Sequence, residues 1–253
     1  MKGYEICFSP TGGTRKVADI LAENLFDETV LVDLTDSRGD FSGIVLTEDD
    51  VAVIAVPSYG GRVPGVAVQR LSAIQGNRAQ AVLVCVYGNR AYEDTLVELQ
   101  DAAKQAGFRV ISAVAAIAEH SIARQFAAGR PDAGDRVQLI AFAEKIRTKL
   151  TAEDSSEPVI PGNRPYKKAG GSGMVPEPTK DCVKCGLCAE KCPVQAIDPN
   201  DPRKVDKGAC ISCMRCIAVC PHSARKVNGI ILAGVNAMLK KACSGRKEPE
   251  LYI

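Results

Sequence analysis

The chain has 253 residues, of which 46% are hydrophobic and 25% are charged, and its formal net charge is +2. These are ordinary values for a globular protein of one or two domains. No apolar stretch reaches the roughly 18 residues that a membrane-spanning helix requires, so we expect no membrane span.

The charge is unevenly distributed along the chain. Residues 167–253 contain 15 Lys and Arg but only 8 Asp and Glu, a net charge of +7, which leaves −5 for residues 1–166. No nucleic-acid recognition motif accompanies the basic part, so we expect no nucleic-acid partner. The basic residues would instead offset anionic groups bound by the chain or attract an acidic partner protein.

The N-terminal residues predict a phosphate-binding loop between a strand and a helix. An apolar run over 4–9 is followed by a Gly- and Thr-rich loop, and apolar residues recur at helical spacing over 15–26. Backbone N–H groups of such a loop and the positive helix end would face an anion. The alternative is a Ser/Thr-rich helix cap without a ligand.

This loop resembles the [ST]-x-T-G-x-T loop of flavodoxins, which binds the phosphate of FMN. The resemblance extends to every fixed position, although Arg15 stands where an acidic residue is common. It implies that these loop residues bind FMN: Ser9, Thr11, Gly12, Gly13 and Thr14.

Further apolar runs at 29–33, 51–56, 81–86 and within 108–118 predict the other strands of a parallel sheet. In doubly wound sheets, ligands bind at the carboxyl ends of the strands, where two more candidate loops lie. The candidate flavin-binding residues in these loops are Pro57, Ser58, Tyr59, Gly60, Gly61 and Arg62, followed by Gly88, Asn89, Arg90 and Tyr92.

The flavodoxin resemblance also implies roles for some of these side chains. Tyr59 or Tyr92 would stack on the flavin ring, Asn89 would bond its pyrimidine edge, and Arg90 would stabilise an anionic reduced flavin. Ordinary packing at the sheet edge is the alternative for each tyrosine. We therefore predict an α/β fold, a flavodoxin-like doubly wound parallel five-stranded sheet, for residues 1–150. Residues 151–179 are rich in Pro, Gly, Ser and charge, and are predicted to be a linker.

Residues 180–227 contain two copies of the pattern C-x2-C-x2-C-x3-C-P, the first beginning at Cys182 and the second at Cys210. This pattern resembles that of bacterial ferredoxins with two [4Fe–4S] clusters. A zinc site would use two CxxC pairs, usually separated by a longer loop, and would need neither a third cysteine at x2 spacing nor a fourth before proline. Disulfides would require an oxidising compartment. The resemblance implies that Cys182, Cys185, Cys188 and Cys220 hold one cluster, and that Cys210, Cys213, Cys216 and Cys192 hold the other.

Residues 228–253 form the C-terminal helix and tail, with an apolar helical segment at 230–243 that ends in an unpaired Cys243. Residues 119–134 form a long loop at the same sheet edge as the flavin loops. We hypothesise that His120 in this loop lies over the flavin or between flavin and cluster, the alternative being a surface histidine without a role.

The whole chain resembles flavodoxin–ferredoxin fusion proteins of anaerobic bacteria and archaea. The resemblance implies an electron-transfer iron–sulfur flavoprotein that relays single electrons between two [4Fe–4S] clusters and FMN, with redox proteins as partners. The alternative is a flavin-dependent reductase of a quinone or nitro compound. We identify no catalytic acid–base constellation and no targeting peptide, and expect a cytoplasmic protein. Potentials, direction of electron flow and oligomeric state are not predicted.

Overall fold

The computed structural model describes residues 2–170 and 173–253. Its first part contains a sheet of five parallel strands in the order β2-β1-β3-β4-β5. This is the flavodoxin-like strand order, so the predicted fold class is confirmed. The strands are β1 (Lys2–Cys7), β2 (Glu28–Asp33), β3 (Val51–Pro57), β4 (Gln80–Tyr87) and β5 (Arg109–Ile117).

Helices cover both faces of the sheet because successive residues of the central strands point to opposite sides. On one face, Val53 packs in the same apolar cluster as Leu21 and Ile146. On the other, Ile54 lies in a cluster with Leu99. The four helices of this part are α1 (Gly13–Leu25), α2 (Gly65–Leu71), α3 (Thr95–Gln105) and α4 (Ala133–Thr151).

The cysteine-rich part has little regular structure. Its ends are joined by two antiparallel strands, β6 (Glu177–Pro178) and β7 (Arg225–Lys226). Between them lie two one-turn helices, α5 (Leu187–Glu190) and α6 (Arg215–Ala218), which occupy equivalent positions in the two copies of the cysteine pattern. The internal repeat of the sequence is therefore also a repeat of the backbone.

The C-terminal residues return to the sheet. Helix α7 (Gly229–Cys243) is followed by strand β8 (Glu250–Tyr252), which pairs antiparallel with β5. This sixth strand was not predicted, because so short a strand shows no period and its partner strand lies far away in sequence. Among the described residues, no helix is both long enough and apolar enough to cross a membrane.

The segment predicted to be a linker is attached to α3 by specific bonds. Asp94 accepts hydrogen bonds from the backbone N–H groups of Asn163 and Lys167, at 2.8 and 2.7 Å. Arg164 forms a paired contact with Asp101, with an Nη2–Oδ1 distance of 2.7 Å. These contacts direct the chain along the sheet towards the edge where the predicted flavin loops lie.

Candidate functional site

The eight motif cysteines line two cavities of similar size. One has an empty volume of about 340 Å³ and the other about 360 Å³. Each cavity combines three cysteines of one run with the last cysteine of the other run, the grouping that the ferredoxin resemblance implies. The first cysteine cavity is lined by Cys182, Cys185, Cys188 and Cys220. The second cysteine cavity is lined by Cys192, Cys210, Cys213 and Cys216.

The backbone around the two cavities follows the same path. Three residues in each run have a positive φ, and each has its counterpart at the equivalent position of the other run. Five of these six residues are not glycine, so this conformation costs free energy that the surrounding structure must offset. The pairs are Lys184 and Ser212 (57° and 54°), Gly186 and Met214 (80° and 61°), and Gln195 and Ser223 (51° and 49°).

Hydrogen bonds to sulfur also repeat. The N–H of Ala196 donates to Cys192 Sγ and the N–H of Ala224 donates to Cys220 Sγ, both at 3.3 Å. Such bonds favour a thiolate and are among the features that set iron–sulfur potentials.

The chemistry of the thiols fits an iron–sulfur cluster in each cavity. Burial raises the pKa values of Cys213 and Cys216 to about 12, so these thiols stay protonated until a metal displaces the proton. Thiolates are the soft ligands that iron–sulfur clusters require. Among the described residues, no three His, Cys, Asp or Glu side chains are arranged for a single metal ion. The eight motif cysteines instead line the two cavities described above.

A third cavity, with an empty volume of about 450 Å³, lies at the carboxyl ends of the parallel strands. We call it the flavin-loop cavity. Seven predicted flavin-binding residues line it: Thr11, Gly13, Thr14, Pro57, Ser58, Tyr59 and Gly88. Seven further residues complete the lining: Pro10, Val86, Tyr87, Ala118, Glu119, His120 and Ser121.

The phosphate-loop end of this cavity offers free donors. Helix α1 begins at Gly13 after the N-cap residue Gly12, whose φ is 88° and which has no side chain to cap the helix. Within the described part of the chain, the N–H groups of Gly13 and Thr14 donate no hydrogen bond, and both residues line the cavity. Free N–H groups at the first turn of a helix are the usual binding site for a phosphate. The loop therefore fits the phosphate of FMN.

Ser9 and Gly12 belong to the phosphate loop but do not line the cavity. The Ser9 hydroxyl accepts a hydrogen bond from the N–H of Arg15 at 2.9 Å, and the backbone N–H of Ser9 donates to Thr35 Oγ1 at 2.8 Å.

Gly60 and Gly61 form a tight turn, with φ values of 62° and 84°, which closes with a 2.9 Å bond from Tyr59 N–H to the Arg62 carbonyl.

The structure does not bring four of the predicted flavin-binding side chains into the cavity lining. Arg62 pairs with Glu98, with two N–O distances of 2.7 Å, and Arg90 pairs with Glu93 at 2.9 Å. These guanidinium groups are thus held by neighbouring carboxylates, and neither is directed to a flavin in the cavity.

The other two side chains hold the C-terminal residues. Asn89 Nδ2 donates to the carbonyls of Cys243 and Gly245 at 2.7 and 2.8 Å. The Tyr92 hydroxyl bonds to Glu250 at 2.6 Å and to Tyr252 at 2.7 Å. The strand-end loop at 88–92 is thereby fixed by the end of the chain, which is far away in sequence, and sequence patterns carry no signal of this.

His120 is among the residues that line the flavin-loop cavity. Its Nδ1 accepts hydrogen bonds from the N–H groups of Ile122 and Ala123, at 3.2 and 3.1 Å. Burial lowers the pKa of the imidazole, and Arg90 lowers it further. Burial thus favours the neutral imidazole, whose proton resides on Nε2 because Nδ1 is an acceptor.

The second cysteine cavity and the flavin-loop cavity lie next to each other. Arg215 lines the cysteine cavity, and its Nη1 donates to the carbonyl of Pro10, which lines the flavin-loop cavity, at 3.1 Å. Burial raises the pKa of the Tyr59 phenol well above its ordinary value, and the nearby Cys213 sulfur adds to the rise. The bond between Arg215 and Pro10 therefore connects the linings of the two sites.

The two cysteine cavities differ in exposure. Cys185 in the first cavity is exposed, and Cys182 and Cys220 are partly exposed. In the second cavity only Cys210 is partly exposed. The first cavity is therefore the more exposed of the two. Arg70 of α2 joins the sheet domain to the cysteine-rich part with a 2.6 Å bond to the carbonyl of Pro193.

Strand order and cysteine arrangement define the chain as a flavodoxin-like α/β domain joined to a small cysteine-rich ferredoxin-like region. Residues 175–225 match a protein family described as 4Fe-4S dicluster domain. This match supports two clusters, and the two domain types together indicate electron transfer.

The N-terminal part is similar to solved flavodoxins at low identity. One from the domain Archaea is 12% identical, with a TM-score of 0.44 over 60% of this chain and 99% of that one. A flavodoxin of Streptococcus pneumonia TIGR4 is 20% identical, with a TM-score of 0.42 over 59% and 99%. One from Megasphaera elsdenii is 15% identical, with a TM-score of 0.36 over 57% and 99%. A search of curated proteins found no significant match.

Proposed function

We propose that the protein relays single electrons between two [4Fe–4S] clusters in the cysteine cavities and an FMN in the flavin-loop cavity. Clusters transfer one electron at a time, whereas FMN accepts one or two, so the bound groups would together connect one-electron and two-electron carriers. The protein supplies the ligands, the separation between the sites and the surroundings that set the potentials.

The observation that carries this proposal is the hydrogen bond between Arg215 and Pro10, which connects the linings of the second cysteine cavity and the flavin-loop cavity. A single residue, Arg215, lines one site and bonds to the other. Contact of this kind would keep the two redox groups close. An arrangement that served two unrelated sites would not require this contact.

The exposure of the cysteines suggests where a partner protein would exchange electrons. The first cysteine cavity is open to the surface at Cys185, and the exposed cations Lys180 and Lys226 lie close in sequence to its ligands. An acidic one-electron carrier would be attracted to such a surface. The second cavity would then pass electrons between this surface and the flavin site.

The second candidate function is reduction of a small acceptor, such as a quinone or nitro compound, at the flavin. His120 favours it, because a neutral imidazole that lines the cavity and carries its proton on Nε2 is suited to supply a proton. Anaerobic turnover with a panel of such acceptors distinguishes the two functions. Turnover that falls at least tenfold in a His120→Ala variant would favour the reductase.

The relay is tested by cofactor analysis of the anaerobically reconstituted chain. We expect about eight irons per chain, as two [4Fe–4S] clusters require, and one FMN. A Gly13→Val variant, which crowds the phosphate loop, should lose FMN and keep its iron. The matched control is Gly65→Val at the start of α2, where an added Cβ meets no atom within 4 Å. Iron without flavin in the unaltered chain would contradict the relay.

A further inference from the structure

Arg225 is buried between the two cysteine cavities. Its relative exposure is 2%, and among the described residues it alone lines both cavities. Its Nη1 donates to the carbonyl of Pro176 at 3.1 Å, and its Nη2 donates to the carbonyl of Pro202. Its Nε is buried and has no hydrogen-bond partner in the described residues.

No carboxylate among the described residues pairs with this guanidinium, whose bonded partners are two neutral carbonyls. A buried cation without a counter-charge is strongly unfavourable, since carbonyl dipoles replace only part of its hydration. Arginine stays charged when buried, so it does not escape this cost by losing its proton. The position therefore implies an anion that the protein atoms do not supply.

The internal repeat shows that the fold itself does not require a cation at this position. The equivalent residue in the first copy of the repeat is Ile197, which is buried at 4% exposure and lines the second cysteine cavity. The same backbone position in the two halves thus accepts an apolar side chain in one and a guanidinium in the other. The cation is a departure from the repeat, and it lies where both cavities meet.

We propose that Arg225 is the shared counter-charge of the two clusters and raises both reduction potentials. Each cluster bound by four thiolates carries net negative charge, and each reduction adds one electron, taken from the reductant, to that charge. A buried cation beside both cavities favours the reduced form of each, because buried charges are poorly screened. This inference rests on the cluster part of the proposed function and is independent of its flavin part.

The experiment compares Arg225→Ile, which installs the residue of the repeat, with Arg225→Lys, which keeps the charge. The control is Arg203→Ile, because Arg203 is exposed and bonds to the Cys182 carbonyl at 3.1 Å. Iron is counted in each anaerobically reconstituted full-length chain. The potential of each cluster is then measured by a redox titration monitored by electron paramagnetic resonance.

In Arg225→Ile we expect the reduced-to-oxidised ratio of both clusters to fall at least tenfold at a fixed potential, which is about 59 mV for a one-electron couple. The shift in Arg225→Lys should be smaller, and Arg203→Ile should match the unaltered chain. A shift in neither cluster, a shift in only one, or an equal shift in the control would overturn the inference.

If Arg225→Ile fails to take up iron, Arg225→Lys decides the question. A lysine variant that binds the full complement of iron shows that the charge is what the site needs. A lysine variant that also loses iron shows that the two carbonyl bonds matter instead, and overturns the inference. Unaltered chain without iron would overturn it together with the cluster part of the proposed function. The redox titration does not measure flavin, so its outcome does not depend on the flavin part of the proposed function.

Discussion

Gly88 offers the sharpest test of how the flavin-loop cavity is built. A Cβ placed on Gly88 would lie 2.6, 2.7 and 2.8 Å from His120 Cδ2, Cγ and Cβ. Carbon atoms in contact lie about 3.5–4.0 Å apart, so the imidazole must move by about 1 Å. That movement strains the two N–H bonds that His120 Nδ1 accepts from Ile122 and Ala123.

The expected cost follows from these contacts. Overpacking a well-packed site lowers the free energy of unfolding by about 1–3 kcal/mol. Each weakened hydrogen bond adds about 0.5–1.5 kcal/mol. If the imidazole moves towards the cavity, Gly88→Ala should weaken FMN binding by about 5- to 150-fold, which corresponds to about 1–3 kcal/mol.

The assay is a fluorescence titration of flavin-free protein with FMN. Gly65→Ala is the control, since a Cβ at that position meets no atom within 4 Å. The double variant Gly88→Ala with His120→Ala removes the clash and should recover most of the affinity lost in Gly88→Ala. Unchanged affinity in Gly88→Ala, or no recovery in the double variant, would refute this account of the cavity.

Three further predictions concern other parts of the chain. Burial raises the pKa of Glu5 to about 8, although Arg15 Nε lies 2.8 Å from Glu5 Oε1. The protonated carboxyl of Glu5 therefore stabilises the fold at low pH, and this contribution is lost as the pH rises towards 8. Thermal unfolding should therefore show that the melting temperature of Glu5→Gln rises relative to that of the unaltered chain between pH 5 and pH 8. Arg62→Ala, which removes the cation paired with Glu98 but leaves the bond from Val63 N–H, should lower the free energy of unfolding by about 1–3 kcal/mol in a urea titration. Cys220→Ala should halve the iron content.

Each of these predictions has a result that contradicts it. Parallel pH profiles for Glu5→Gln and the unaltered chain would show that the carboxyl is ionised in the folded protein. An unchanged urea midpoint in Arg62→Ala would mean that its pair with Glu98 adds nothing to stability. For the iron content, the informative comparison adds a second substitution. Cys185→Ala with Cys220→Ala should lose the same half, and Cys213→Ala with Cys220→Ala should lose all iron; the reverse pattern would contradict the crossed ligand sets.

The sequence predicts the sheet well because its strands carry a strong local signal. The continuous apolar runs at β3 and β4 are buried on both faces, and the predicted bounds of these strands differ from the structure by one residue at most at each end. The cysteine runs are likewise local patterns with fixed spacing. Both rest on residues that lie near one another along the chain.

Contacts between distant residues escape such reasoning. Nothing in the residues around Asn89 indicates that its amide binds the carbonyls of Cys243 and Gly245. The same holds for the 163–167 segment, whose composition is that of a flexible linker although Asp94 binds two of its N–H groups. Arg225 is similar, because only the fold shows that it lies between both cysteine cavities.

The central claim is that electrons pass between clusters and flavin within one chain. It is tested most directly by rapid one-electron reduction of the clusters in the anaerobic holoprotein, followed by recording the flavin absorbance at several protein concentrations. The account predicts flavin reduction at a rate that does not depend on protein concentration, since the Arg215–Pro10 bond connects the linings of the two sites within one chain. A rate proportional to protein concentration would show transfer between molecules and contradict it.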